Sequence, residues 1–113
     1  MTARHGVIVV DSRSRSGVAT VRISLEDAGM ADAASVRLAE ATLPRRHIGP
    51  GERIPFEIEV DPDPPPGTIV RVHVDFAGDG DLSLGDLFTT RSIPDDVLGD
   101  AAESAGEVPV TVI

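Results

Sequence analysis

The sequence predicts an all-β protein: a single antiparallel β-sandwich of about seven strands, with residues 1–113 forming one domain. Three observations carry that expectation. Apolar residues make up 41% of the chain, yet the aromatics are three phenylalanines, so the core must be built from valine, isoleucine and leucine, which suit strands. Several runs alternate between apolar and polar side chains with the two-residue period of a strand buried on one face. No repeated helical insertion separates those runs, which favours a sandwich over an α/β layering.

The elements follow in order. Residues 7–10 (Val-Ile-Val-Val) read as a first strand, and the Ser/Arg stretch at 12–17 as a polar hairpin loop after it. Val21, Ile23 and Leu25 alternate with Thr20, Arg22 and Ser24, giving a second strand. Residues 31–43 are ambiguous, because Ala, Leu, Arg and Glu favour helix and Val36, Ala39 and Leu43 can line one helical face. Strand is preferred over helix for residues 36–43. Gly49-Pro-Gly51 forms a turn before the clearest alternation, in which Ile54, Phe56, Ile58 and Val60 share one face and Arg53, Glu57 and Glu59 the other. Four prolines crowd residues 61–67, where a helix cannot persist. Val70, Val72, Val74 and Phe76 then point inward, with Arg71, His73 and Asp75 outward. Residues 86–93 and the final Val108, Val110 and Val112 suit strands, Pro109 suggesting an edge. Between them, residues 95–107 carry five acids and no base and read as a solvated excursion.

Charge and composition exclude several functions. Residues 1–53 hold eight arginines against six acids, while residues 54–113 hold two against thirteen, giving the net −9, and lysine is absent. Such a chain repels phosphate backbones and anionic membranes, so nucleic acid is not an expected partner and cations are better ones. With no cysteine, disulfides, thiolate zinc sites and cysteine nucleophiles are excluded. Residues 7–10 are too few for a signal peptide or a membrane span. The expected location is therefore cytoplasmic without membrane insertion, or the cell envelope if a leading segment has been removed.

The sharpest local pattern is Asp75-Phe-Ala-Gly-Asp79-Gly80-Asp81-Leu-Ser83-Leu-Gly-Asp86. Laid on a twelve-residue calcium loop, Asp75, Asp79, Asp81, Ser83 and Asp86 take positions 1, 5, 7, 9 and 12, with Gly80 at the turn. Hard cations want several oxygens converging from one short loop, and the pattern is similar to the calcium loops of dockerins. Ala77 offers no oxygen at position 3, and Asp86 replaces the usual glutamate. The simpler alternative is an acidic, glycine-rich hairpin loop. Elsewhere, Asp61, Asp63, Glu57 and Glu59 read as solvated charges, and His5, His47 and His73 lie too far apart in sequence for a zinc motif. Nucleophile elbows, Walker loops and Ser-x-x-Lys pairs are missing, so no enzyme activity is expected. Arg45-Arg46 beside His47, with Arg13 and Arg15, read as solvated loop charges; as a basic patch they would allow head-to-tail association.

The order of segments Val21-Arg-Ile-Ser-Leu-Glu-Asp-Ala-Gly-Met-Ala-Asp-Ala-Ala, Leu38-Ala-Glu-Ala-Thr-Leu, Gly51-Glu-Arg-Ile-Pro-Phe-Glu-Ile, Val70-Arg-Val-His-Val and Phe88-Thr-Thr-Arg-Ser-Ile-Pro resembles the YbaY/YscW family. That family comprises small β-sandwich lipoproteins and type III secretion pilotins that assist outer-membrane secretins. The resemblance spans nearly the whole chain and implies strand at 36–43. It also implies a non-enzymatic module that binds a protein partner through a sheet edge or its loops, in a bacterial setting that the arginine-, alanine- and aspartate-rich composition also suggests. The competing expectation is a structural domain stabilised by calcium at Asp75 to Asp86. The sequence leaves the oligomeric state open.

Overall fold

The computed structural model describes residues 1–28 and 36–113. Eight strands occur among them: β1 (Thr2–Val10), β2 (Gly17–Asp27), β3 (Val36–Ile48), β4 (Arg53–Val60), β5 (Thr68–Asp75), β6 (Leu87–Phe88), β7 (Ile93–Pro94) and β8 (Gly106–Val112). The ambiguous stretch is strand from Val36 onward, as preferred, while residues 31–35 lie outside the described residues. The all-β expectation holds. Rather than two separate layers, the strands form one mixed sheet in the order β3-β2-β5-β6-β8-β1-β4, with β7 beside β5. The sheet rolls until its two ends, β3 and β4, approach each other, so it is nearly closed into a barrel.

Alternation fixed the faces. β4 follows its predicted pattern residue by residue, with Ile54, Phe56, Ile58 and Val60 buried and their neighbours exposed. The buried apolar side chains form one cluster to which β1, β2, β4, β5 and β8 all contribute. Each fully buried aliphatic side chain there contributes roughly 1.5–3 kcal/mol of gross transfer energy.

Pairing departs from expectation in three places. The 12–16 loop is no hairpin, because β1 pairs with β4 and β8 while β2 pairs with β3 and β5. Periodicity tells which face is buried and is silent on which strand lies alongside. The β1–β8 pair is parallel, the exception among otherwise antiparallel described pairs. β8 is interior in the sheet order, not an edge as Pro109 suggested. Pro109 is tolerated because β6 covers only Thr111 and Val112, so at Pro109 the strand is paired on one side alone, with Val9.

The acidic 95–107 stretch is not merely solvated. It forms two single-turn 3-10 helices, Asp95–Val97 and Ala102–Ser104, and inserts Leu98, 3% exposed, into the core. His5 and Gly99 exchange two backbone hydrogen bonds of 2.8 Å, tying the stretch to β1. Gly6, opposite Phe56 across the β1–β4 pair, has no room for a Cβ beneath that ring and Leu98.

Candidate interaction surface

Two concavities and one loop bear on function. The loop at 76–85 joins β5 to β6, which pair as a hairpin, and Gly78, Gly80 and Gly85 take the positive φ its turns require (76°, 85° and 92°). Asp75 and Asp86, at its two ends, are fully buried. Oδ1 of Asp75 accepts the Gly78 N–H at 2.8 Å, and Oδ2 accepts the Gly80 N–H at 2.8 Å and Arg22 Nη2 at 3.2 Å. Oδ1 of Asp86 accepts the Phe76 N–H at 3.1 Å; Oδ2 accepts the Ser83 N–H at 3.1 Å and lies 2.8 Å from His73 Nε2. Burial pushes the Asp75 carboxyl up, but the Gly80 and Gly78 N–H groups, Arg22 and the charge on His73 outweigh it and hold the carboxyl below its ordinary value.

The structure thus separates the five residues proposed for calcium. Asp75 and Asp86 come together with His73, their ligand atoms within 4.8 Å of one another, and neither Asp79 nor Asp81 joins that group among the described residues. Asp79, Asp81 and Ser83 are exposed, and Asp79 Oδ1 accepts the Asp81 N–H at 3.0 Å. The base that the local sequence lacks arrives from elsewhere in the chain. Arg22 of β2 pairs with Asp75, and Arg45 of β3 lies against Gly78. Because backbone amides and arginine already order the loop, millimolar calcium is expected to leave the melting temperature unchanged, for wild type and Asp79→Ala alike. Thermal melts with and without calcium check this; a rise in wild type that Asp79→Ala abolishes would instead establish a cation site.

The arginines flagged as a basic patch are mostly engaged within the molecule. Arg13 pairs with Asp11 at 3.3 Å, Arg46 with Glu52 at 2.6 Å, and the Arg15 guanidinium stacks 4.3 Å above the Phe76 ring. The larger concavity, about 400 Å³ on the outer face of β2, β3 and β5, is likewise neutralised internally. Its Arg22, Arg37 and Arg71 pair with Asp75, Glu40 and Glu26 at 3.2, 3.1 and 3.0 Å.

The seam between the sheet ends is different. In β2 the inward Ala19, Val21, Ile23 and Leu25 are at most 3% exposed, whereas the inward Ala39, Ala41 and Leu43 of β3 are only half-buried. The core is therefore uncovered along β3, which has no ladder partner beyond β2 among the described residues. Two irregularities shape this edge. Leu25 faces Ala39 while Glu26 faces Arg37, leaving Leu38 as an extra residue; a second shift falls between the pairs Ala19/Arg46 and Val21/Leu43, where Pro44 sits. Bulges and an edge proline both blunt strand-to-strand aggregation. At the open end of the seam, an apolar mouth of about 30 Å³ is lined by Leu25, Leu38, Ala39, Val60, Pro64 and Leu98, with Asp61 and Asp95 on its rim. Leu38 and Val36 are 40% and 59% exposed beside it. Arg4 Nη2 donates to the Leu98 carbonyl at 2.6 Å and braces its inner wall. Sequence reasoning missed this mouth, because its residues come from five separate stretches of chain and no local pattern marks a sheet end.

An all-β rolled sheet with an open, apolar seam is the class that fold and surface define. No protein-family model matches the chain, and no curated protein matches it. Among solved structures, it is similar to an alternative pilotin from the type II secretion system of Vibrio cholerae, at 20% identity and a TM-score of 0.61, over 99% of this chain and 96% of that one. The chain thus has a pilotin-like fold. Among the described residues no helix is long and apolar enough to cross a membrane.

Proposed function

We propose that this chain is a non-enzymatic, single-domain interaction module of the YbaY/YscW kind that docks a segment of a protein partner at the β3 seam. The observation that carries the reading is the half-uncovered inner face of β3, ending in an apolar mouth, on an otherwise sealed core. Sheet edges bind segments through backbone hydrogen bonds, and adjacent pockets supply selectivity. The pilotin-like fold supports a protein partner, and the sequence resemblance supports an outer-membrane secretin. An address in the cell envelope goes with that partner. A non-catalytic role is supported by the carboxylates of Asp75 and Asp86 and by His73 Nε2, which are engaged in holding a loop.

Peptides tiling an outer-membrane secretin, titrated by fluorescence polarisation, test this. At least one should bind wild type, and Ala39→Phe, which plugs the mouth without adding charge, should weaken it about tenfold, the loss expected when one apolar anchor worth ~1.5 kcal/mol is excluded. Binding that Ala39→Phe leaves untouched would remove the seam as the site.

A further inference from the structure

Resting on the seam reading, we infer that the preferred occupant of the mouth is an apolar side chain carried by a segment with arginine or lysine on either side of it. The walls of the mouth are mainly aliphatic, from Leu25, Leu38, Ala39, Val60 and Leu98, and the Thr68 hydroxyl is spent on the Pro65 carbonyl at 2.6 Å, so the mouth favours an apolar group over a polar one. The rim is of one sign. Asp61 and Asp95 line it, and the adjoining Asp63 and Asp96 are exposed. Arg4 is the one base among the lining residues, and its guanidinium is engaged within the molecule, hydrogen-bonded to the Leu98 carbonyl at 2.6 Å and 3.7 Å from Asp100. The outer face of the neighbouring β4 adds Glu57 and Glu59, both exposed. Unlike the larger concavity, whose arginines and acids pair with each other, this rim has acids at Asp61 and Asp95 that no ion pair among the described residues neutralises, and their field is open to a partner. Electrostatic complementarity of this kind selects among partners and speeds encounter more than it adds affinity.

The test uses three synthetic peptides sharing one leucine anchor, flanked by arginines, serines or glutamates, and four proteins: wild type, Ala39→Phe, Asp61→Arg/Asp95→Arg, and the charge-matched control Asp79→Arg/Asp81→Arg on the distant loop. Wild type should bind the arginine-flanked peptide about tenfold tighter than the glutamate-flanked one, the scale of two exposed charge contacts changed from repulsion to attraction. That ratio should shrink as salt rises from about 0.05 M to about 0.5 M. Asp61→Arg/Asp95→Arg should reverse the order, and the control should keep it. Equal affinities for the three peptides, or an equal effect of the control, would overturn the charge preference while Ala39→Phe still weakened binding about tenfold. Insensitivity of every peptide to Ala39→Phe would instead overturn the seam reading beneath it.

Discussion

Replacing Asp75 with alanine is expected to destabilise the protein by about 3 kcal/mol, because a charged acceptor that serves several donors is removed from a buried position. The donors left behind are the Gly78 and Gly80 N–H groups and the Arg22 guanidinium. Arg22 is partly exposed and the two glycines lie at the surface, so water recovers some of the loss and the effect stays below the upper range for a severed buried pair. Asp75→Asn should fall between wild type and alanine, since the amide keeps one acceptor and turns a donor toward the others. Urea denaturation measures both; a loss below about 0.5 kcal/mol for alanine, the level of an ordinary surface change, would mean the loop does not depend on this carboxylate.

Acidity should report the same bonds. A carboxyl whose folded pKa lies below its unfolded value adds stability above the unfolded pKa and loses it as pH falls through the folded one. Asp75 is held below its ordinary value, and Asp11 is lowered from 3.8 to about 2 by the Arg13 and Val112 backbone N–H groups and by the Arg13 side chain. Stability should therefore be steady above about pH 4 and fall between pH 4 and 2, less steeply in Asp75→Asn than in wild type.

Leu98→Ala is expected to cost about 2–4 kcal/mol, the combined transfer and cavity penalty of a buried leucine. Leu98 is 3% exposed and packs beneath Gly6, while its own backbone N–H closes the first 3-10 turn on Asp95 at 3.0 Å. Were the acidic stretch a simple solvated excursion, the change would cost under about 0.5 kcal/mol. Chemical denaturation decides between these values.

These two positions show where sequence reasoning reached and where it stopped. Alternation in β4 and β5 named the inward side chains correctly, because burying one face of a strand requires a two-residue period whatever the strand pairs with. The same reasoning placed Asp75 in solvent by parity. It is outward-facing yet buried, covered by the loop that it anchors, and only a three-dimensional contact with Arg22 and Gly80 reveals that. Leu98 was hidden among Asp95, Asp96 and Asp100, where composition outweighed a single leucine. The mouth was the least legible feature. Leu25, Leu38, Val60 and Leu98 meet only because the sheet rolls, and the rolling depends on the parallel β1–β8 pairing, which no local periodicity encodes. Gly80 reads from the sequence as a turn residue, and in the structure it takes positive φ, while carboxyl oxygens of Asp75, Asp79 and Asp86 accept from backbone amides.

The most direct measurement is a two-dimensional NMR titration of the labelled protein with the seam-binding peptide. Resonances of Leu38, Ala39, Ala41, Val60 and Leu98 should shift together and saturate at one stoichiometry, leaving Arg22, Arg71 and the 76–85 loop unmoved. Shifts confined to that outer face or loop, with Leu38, Ala39 and Leu98 unchanged, would show that partners dock elsewhere and that the gap between β3 and β4 is not a binding surface.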